Sequence, residues 1–138
     1  MTPSVELESL DPANSRALLR SAPVGRLVFT ERALPAIRPV NFTIYHGSVL
    51  IRLTENSELQ RLDGTIVAFE ADEIDRVTQI GWSVVVLGRA ELVTDLRELV
   101  LLGESAAWRG TGDRCLRVQI DQITGYRLTL LTPIDQAG

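Results

Sequence analysis

The sequence has no lysine, and all fourteen of its positively charged side chains are arginine. Schiff-base catalysis, a Walker-type phosphate loop and a lysine general base each require a lysine. Arginine cannot take over these roles, because its guanidinium group stays protonated in proteins. The absence of lysine therefore excludes these three classes of chemistry.

The chain also has only one cysteine, Cys115, and one histidine, His46. One chain can therefore supply neither a disulfide nor the roughly four soft ligands of a structural zinc ion. His46 lies in a predicted turn and is a poor candidate for a catalytic triad. Cys115 begins a predicted strand, so we interpret it as a small core residue. We expect a cytoplasmic protein, since the N-terminal segment also lacks the features of a secretory signal.

Long apolar runs and a net positive charge are absent as well. No apolar run approaches the roughly 18 residues of a membrane span, and the net charge is −4. Proteins that bind nucleic-acid phosphates usually carry a basic surface, so we expect neither a nucleic-acid nor a membrane partner. With 138 residues, 45% of them hydrophobic, the sequence predicts a single folded domain over residues 1–138.

The apolar pattern predicts three short helices. Asp11 followed by proline is typical of a helix start, and this first helix is predicted to end near Ala22. Ser57 and Gln60 match a capping box, which starts a second helix that ends at Gly64. A third helix starts near residue 95, and four residues are predicted to form its apolar face: Leu96, Leu99, Val100 and Leu102.

The remaining segments predict about seven β-strands. They cover residues 26–30, 34–45, 48–53, 65–70, 82–93, 114–121 and 125–131. Two prolines place the second strand at a sheet edge, and the long fifth strand is expected to be central and to bend at Gly88. Short turns between consecutive strands favour an antiparallel sheet or barrel, because parallel strands need long crossovers.

Two common types of site are not supported by the sequence. A dinucleotide-binding Gly-x-Gly-x-x-Gly motif fails, since Gly110 and Gly112 are followed by Cys115 where the third glycine should stand. A cluster of four acidic residues is interpreted as a solvated turn rather than a metal site. These residues are Glu70, Asp72, Glu73 and Asp75.

An anion site remains possible at the start of the second helix. Backbone N–H groups near Ser57 and Glu58 carry a partial positive charge, and the preceding strand brings Arg52 and Thr54 close to them. The alternative is an ordinary capped helix with arginines that face water. Local sequence alone leaves both interpretations open.

Five segments together resemble the pyridoxamine 5′-phosphate oxidase-like family of flavin-binding split barrels. They are residues 24–29 (VGRLVF), 38–42 (RPVNF), 51–59 (IRLTENSEL), 67–70 (VAFE) followed by Asp75, and 81–90 (GWSVVVLGRA). The resemblance extends over about residues 7–131. It implies an antiparallel split β-barrel of six or seven strands, a homodimer, and FMN bound noncovalently at the dimer interface.

The resemblance also implies which residues contact the flavin. The segment Arg38, Pro39, Val40 and Asn41 would lie along the isoalloxazine ring, with backbone groups at its polar edge. The ribityl phosphate would be surrounded by Arg52, Leu53, Thr54 and Ser57. Trp82 and Ser83 would approach the cofactor from a neighbouring strand, although a tryptophan at this position is also typical of a core.

Two features depart from the family pattern. Glu58 stands where relatives commonly have a lysine or arginine, and Glu55 is close to it. A carboxylate about 5 Å from a phosphate costs on the order of a few kcal/mol, so Glu58 is expected to weaken FMN binding unless it turns to solvent or Arg61 neutralises it. The C-terminal segment that carries arginine and histidine in true pyridoxamine phosphate oxidases is also absent, so vitamin B6 oxidation is not expected.

Three functional hypotheses follow. The first is an FMN-dependent oxidoreductase that takes a hydride from a reduced nicotinamide and passes it to a small acceptor. No side chain needs to act as acid or base in it, so no catalytic residue is named. The second is a non-enzymatic protein that binds FMN, a deazaflavin or another phosphorylated ligand. The third is a flavin-free dimer that serves as an interaction module.

Overall fold

The computed structural model describes residues 4–105 and 114–131. This part of the chain is mainly antiparallel β-sheet. Its strands are β1 (Ser4–Leu10), β2 (Gly25–Glu31), β3 (Leu34–Val40), β4 (Thr43–Tyr45), β5 (Ser48–Leu53), β6 (Ile66–Ile74), β7 (Ile80–Val93), β8 (Arg114–Gln119) and β9 (Gln122–Leu131). The helices are α1 (Pro12–Ser21), a 3₁₀ helix (Glu58–Leu62) and α2 (Leu96–Ser105).

The predicted fold class, a split barrel with three short helices, is confirmed. The described residues form nine strands rather than six or seven. One additional strand is β1, which pairs along its whole length with β9. The other arises because the predicted strand over 34–45 is two strands, β3 and β4, in different parts of the sheet. The two prolines do lie in an edge strand, since among the described strands β3 pairs only with β2.

β7 is the central strand, as predicted, and it joins two halves of the sheet. Residues Ile80–Leu87 pair with β9, whereas Ala90–Val93 pair with β8. The change of partner occurs at Gly88, where an added Cβ would lie 1.6 Å from the carbonyl oxygen of Gln119. The close approach of the two backbones therefore requires glycine at this position.

The main core fills the inside of the barrel. Its largest fully buried side chain is Phe69, whose ring lies 4.7 Å from that of Phe42 at an interplanar angle of 63°. Helix α1 closes one side of this core with Leu19, and Asp11 caps the helix by accepting a hydrogen bond from the Asn14 N–H at 2.7 Å. The predicted first helix is confirmed.

A second, smaller core lies between α2 and the outer face of β5, β7 and β8. It contains Leu50, Val93, Leu102 and Cys115. Leu99 packs against it, but Leu96 and Val100 are 77% and 57% exposed, so the predicted apolar face was too wide. At about 100° per residue, Val100 lies about 160° and Leu96 about 120° around the helix axis from Leu102.

Two local predictions need correction. The acidic cluster is not a turn, because Glu70, Asp72 and Glu73 lie within β6, and only Asp75 is in the following turn, where it accepts hydrogen bonds from backbone N–H groups. The capping box is incomplete. Ser57 does cap the 3₁₀ helix, but the Gln60 side chain donates to backbone carbonyl oxygens instead of accepting from the Ser57 N–H. The predicted loop at Gly110 and Gly112 lies outside the described residues.

Candidate functional site

An ion-pair network joins β3 to the 3₁₀ helix. The Arg38 guanidinium donates from Nε and Nη2 to the Glu58 carboxylate, at 3.1 and 3.0 Å. Glu31 pairs with Arg61 and lies 3.7 Å from Arg38, and Arg61 lies 3.9 Å from Glu58. We call these four residues the Glu58 network. It contains two positive and two negative side chains, so its net charge is zero.

The network shows which side chains contact the Glu58 carboxylate near the predicted phosphate segment. Its side chain is half exposed, but it does not simply point into water, because Arg38 holds one carboxylate oxygen with two hydrogen bonds. Arg61 contributes a longer contact of 3.9 Å, in the neutralising role expected for it. The stronger partner is Arg38, which the family resemblance assigned to the ring rather than to Glu58. The two predicted parts of the site are therefore connected through Glu58.

The predicted phosphate segment runs from the end of β5 into the 3₁₀ helix. The Ser57 hydroxyl accepts from the Leu59 N–H at 3.2 Å, and the Ser57 N–H donates to the carbonyl oxygen of Thr54 at 3.1 Å. Leu53 is 5% exposed and belongs to the main core, so only its backbone is available to a ligand. Arg52 is exposed, and its side chain points away from the face of β5 that carries Leu53, because side chains alternate along a strand.

The segment from Arg38 to Asn41 alternates in the same way. Arg38 is on the side of the barrel interior, where its guanidinium lies 5.7 Å from the centre of the Phe29 ring, and Val40 packs against the main core. Pro39 is exposed on the outer face, and Asn41 is exposed just beyond the end of β3. A ligand along this strand would thus meet the side chain of Arg38 or that of Pro39, depending on the face.

Trp82 and Ser83 point to opposite faces of β7. Trp82 packs against the main core, in agreement with the alternative that it is a core residue. The Ser83 hydroxyl lies 3.5 Å from a carboxylate oxygen of Glu70 on the outer face. Glu70 in turn accepts a hydrogen bond of 2.7 Å from Arg26, which is the cross-strand partner of Pro39. Ser83 and Pro39 therefore flank the same ion pair.

The sequence did not identify Arg26 and Glu70 as interacting residues. Burial, together with a hydrogen bond that protonated Glu70 donates to the carboxylate of Asp72, raises the pKa of Glu70, although Arg26 opposes this shift. Asp72 also lies 3.2 Å from Arg26, so the Arg26 guanidinium contacts the carboxylates of both Glu70 and Asp72. This cluster carries a net negative charge on the outer face of the sheet.

Five of the ten predicted site residues consequently form two groups. Arg38, Thr54 and Ser57 lie around the Glu58 network, whereas Pro39 and Ser83 lie around Arg26 and Glu70. Hydroxyl and guanidinium groups are suitable donors for a phosphate ester, so the donor set of the first group fits a flavin nucleotide. This fit requires Arg38 to be shared between Glu58 and the phosphate.

Other chemistry has little support in the described part of the chain. No group of three or more histidine, cysteine, aspartate or glutamate residues is arranged there to hold a metal ion. Burial raises the pKa of Cys115 to about 11, which leaves its thiol protonated near neutral pH. His46 occupies the predicted turn with φ 46°. None of the helices within residues 4–105 and 114–131 is long and apolar enough to cross a membrane.

A family model for pyridoxamine 5′-phosphate oxidase matches residues 11–127. The chain belongs to this family. The matched segment covers the strands from β2 to the first part of β9 and both groups of candidate residues, so the resemblance seen in the sequence is confirmed.

The chain is similar to several known proteins. An FAD binding protein from Mycobacterium smegmatis is 32% identical, with a TM-score of 0.67 over 90% of this chain and 98% of that one. A conserved protein of unknown function from Corynebacterium diphtheriae is 30% identical, with a TM-score of 0.70 over 87% and 96%. An uncharacterized protein of Mycobacterium tuberculosis is 44% identical over 96 residues, which are 65% of this chain and 63% of that protein. The match therefore spans less than two thirds of this relative.

Proposed function

We propose that this protein binds a flavin nucleotide and acts as an oxidoreductase, taking a hydride from a reduced nicotinamide and passing it to a small acceptor. The observation that carries the proposal is the 32% identity, over 90% of the chain, to a solved FAD binding protein. When bound, the flavin supplies the hydride chemistry, and the protein supplies binding and electrostatics. A nicotinamide-dependent reaction also fits the expected cytoplasmic location.

The proposed roles are those that the family resemblance implies for each residue. Arg52, Thr54 and Ser57 donate hydrogen bonds to the phosphate, and Leu53 contributes through its backbone. The backbone of residues 38–41 faces the polar edge of the ring. Ser83 contacts the ligand from the outer face of β7, and Trp82 supports that strand from the core.

A homodimer is part of this proposal, because one chain does not bring both groups of residues to one face. The outer face of the sheet is suited to a second copy. The register aligns Ile37, Val28, Ala68 and Leu87 in one apolar row across four strands. Ile37 is 57% and Leu87 41% exposed, and contiguous apolar surface of this kind is typical of an interface.

The first test is the visible absorbance of the purified protein, followed by addition of reduced nicotinamide. A yellow protein that bleaches within the turnover time supports the oxidoreductase. A yellow protein that does not bleach supports a non-enzymatic flavin-binding protein, and a bound chromophore with a deazaflavin spectrum supports that alternative ligand.

The second test is thermal unfolding with added FMN or FAD. Ligand at a hundredfold excess over its Kd stabilises the native state by about 2.7 kcal/mol. Arg52→Gln should reduce this stabilisation, whereas the control Arg76→Gln, in the turn after β6, should not. A colourless protein that neither flavin stabilises would refute flavin binding and leave the flavin-free dimer.

A further inference from the structure

We propose that Gln60 and Arg114 are positioning residues for the ligand phosphate, although neither needs to contact it. They hold the turn at residues 54–57, which carries the predicted phosphate donors Thr54 and Ser57. The inference rests on the phosphate site proposed above and identifies residues outside that site that prepare it for binding.

The Gln60 side chain joins this turn to the 3₁₀ helix. Its amide nitrogen Nε2 donates hydrogen bonds to the carbonyl oxygens of Glu55 and Ser57, the latter at 3.1 Å. These carbonyl groups belong to two peptide units of the turn, and each peptide unit is planar, so one side chain fixes the orientation of both units. Gln60 therefore restricts the backbone on both sides of Asn56.

The backbone hydrogen bonds that connect the turn to the 3₁₀ helix are long. The Gln60 backbone nitrogen lies 3.4 Å from the Ser57 carbonyl oxygen, and the Asp63 nitrogen lies 3.3 Å from the Gln60 carbonyl oxygen. The usual distance is about 2.9–3.0 Å, and hydrogen bonds in 3₁₀ helices have poor geometry. The conformation of the turn therefore depends strongly on the hydrogen bonds of the Gln60 side chain.

Arg114 anchors the other end of the Gln60 amide. Its Nη1 donates to the Gln60 Oε1 at 3.0 Å, between residues 54 positions apart in the sequence. Arg114 is the first residue of β8 and the cross-strand partner of Leu53, the last residue of β5. Leu53 leads directly into the turn. Arg114 thus connects Gln60, and through it the turn, to the neighbouring strand of the sheet.

A turn that is already ordered should bind a phosphate more tightly than one that must be ordered by the ligand. Fixing the backbone of a residue costs conformational entropy, and this entropy is not lost again on binding if the turn is held beforehand. Loss of the Gln60 link should therefore weaken the binding of a phosphorylated ligand by about tenfold. A ligand without a phosphate does not use the turn, so its affinity should not change.

The experiment compares FMN with riboflavin, which differ only in the phosphate, on the full chain and on Gln60→Met. This change removes the side-chain hydrogen bonds without altering the charge. The Kd of FMN should rise about tenfold, and that of riboflavin should stay within about twofold of the wild-type value. In the ligand-free protein, the amides of Ser57 and Leu59 should exchange about tenfold faster. Gln119→Met, at an exposed position of β8, is the matched control and should change none of these values. Melting curves establish that both variants fold.

A double-mutant cycle tests whether Arg114 acts through Gln60. Arg114→Lys keeps the charge but not the guanidinium geometry. It should raise the Kd of FMN about threefold in the wild-type background and leave it unchanged in the Gln60→Met background. An equal effect in both backgrounds would show that Arg114 acts independently of Gln60, and it would overturn the inference.

Two further results would refute the inference while the flavin function stands. One is an FMN affinity that Gln60→Met leaves unchanged, or a loss of riboflavin affinity as large as that of FMN. The other is unchanged amide exchange at Ser57 and Leu59, because the turn would then be held without Gln60. If neither FMN nor riboflavin binds to the wild type, the proposed function and this inference are both wrong.

Discussion

Replacing Gly88 by alanine should destabilise the protein strongly. The new Cβ would lie 1.6 Å from the Gln119 carbonyl oxygen, whereas a carbon–oxygen contact normally needs about 3.3 Å. The two backbones must therefore separate, which breaks nearby hydrogen bonds such as that from the Asp121 N–H to the Leu87 carbonyl, at 3.1 Å. Two lost hydrogen bonds at about 1 kcal/mol each, with residual strain, give about 3 kcal/mol.

Urea and thermal denaturation measure this loss. For a domain of this size, about 3 kcal/mol corresponds to a fall in Tm of roughly 10 °C. Gly47→Ala is the matched control. Gly47 has φ +74° but open space around it, so its substitution costs only the backbone conformation, about 1 kcal/mol. A Tm for Gly88→Ala within 2 °C, on the order of measurement error, of the wild-type value would show that β7 and β8 do not need this close approach.

Three further predictions concern other parts of the fold. Burial raises the pKa of Cys115 from 9.0 to about 11, so the unfolded chain ionises first. Stability should fall by up to about 1.4 kcal/mol per pH unit between about pH 9 and 11, and Cys115→Ala should remove that slope in urea titrations; an unchanged slope would contradict this. Arg117→Met should remove the ion pairs to Glu91 and Glu98, loosen α2 by about 1 kcal/mol and speed hydrogen exchange in that helix, while equal exchange rates would show that α2 is held by packing alone. Leu87→Arg should shift the proposed dimer to monomer in analytical ultracentrifugation, unlike Val77→Arg in an exposed turn, and a persistent dimer would place the interface elsewhere.

Local signals in the sequence predicted most of the fold. Asp11 before Pro12 predicted the start of α1, and the His46–Gly47 turn is present with φ of 46° and 74°. The long valine-rich run predicted the central strand β7, and Gly88, where a bend was expected, is where this strand changes its partner. Each of these features depends on neighbours within a few residues, which is the range over which a sequence pattern carries physical information.

β1 could not be recognised in this way. Its apolar residues Val5 and Leu7 are 52% and 58% exposed, so they do not form the buried face that usually marks a strand. The strand exists because its backbone pairs with β9, more than a hundred residues away. Nothing within the first ten residues encodes the presence of that partner.

The candidate site was predicted only as a set of positions, which stay predictions. The family resemblance named Arg38 and drew attention to Glu58, but their contact joins residues 20 positions apart. Glu31 and Arg61, 30 positions apart, were not connected by any periodicity. Ion pairs of this kind depend on which strands become neighbours, and so they become visible only once the sheet order is known.

The pairing of β1 with β9 has a consequence for engineering. It places Ser4 opposite Leu131, at the spacing of adjacent strands. A short linker between the two ends, with a new opening at the His46–Gly47 turn, would give a circular permutant that keeps the same barrel. β1 and β9, which are far apart in the natural sequence, would then form a hairpin. If the permutant folds faster than the natural chain, the difference in rate measures how much of the folding barrier comes from bringing β1 and β9 together.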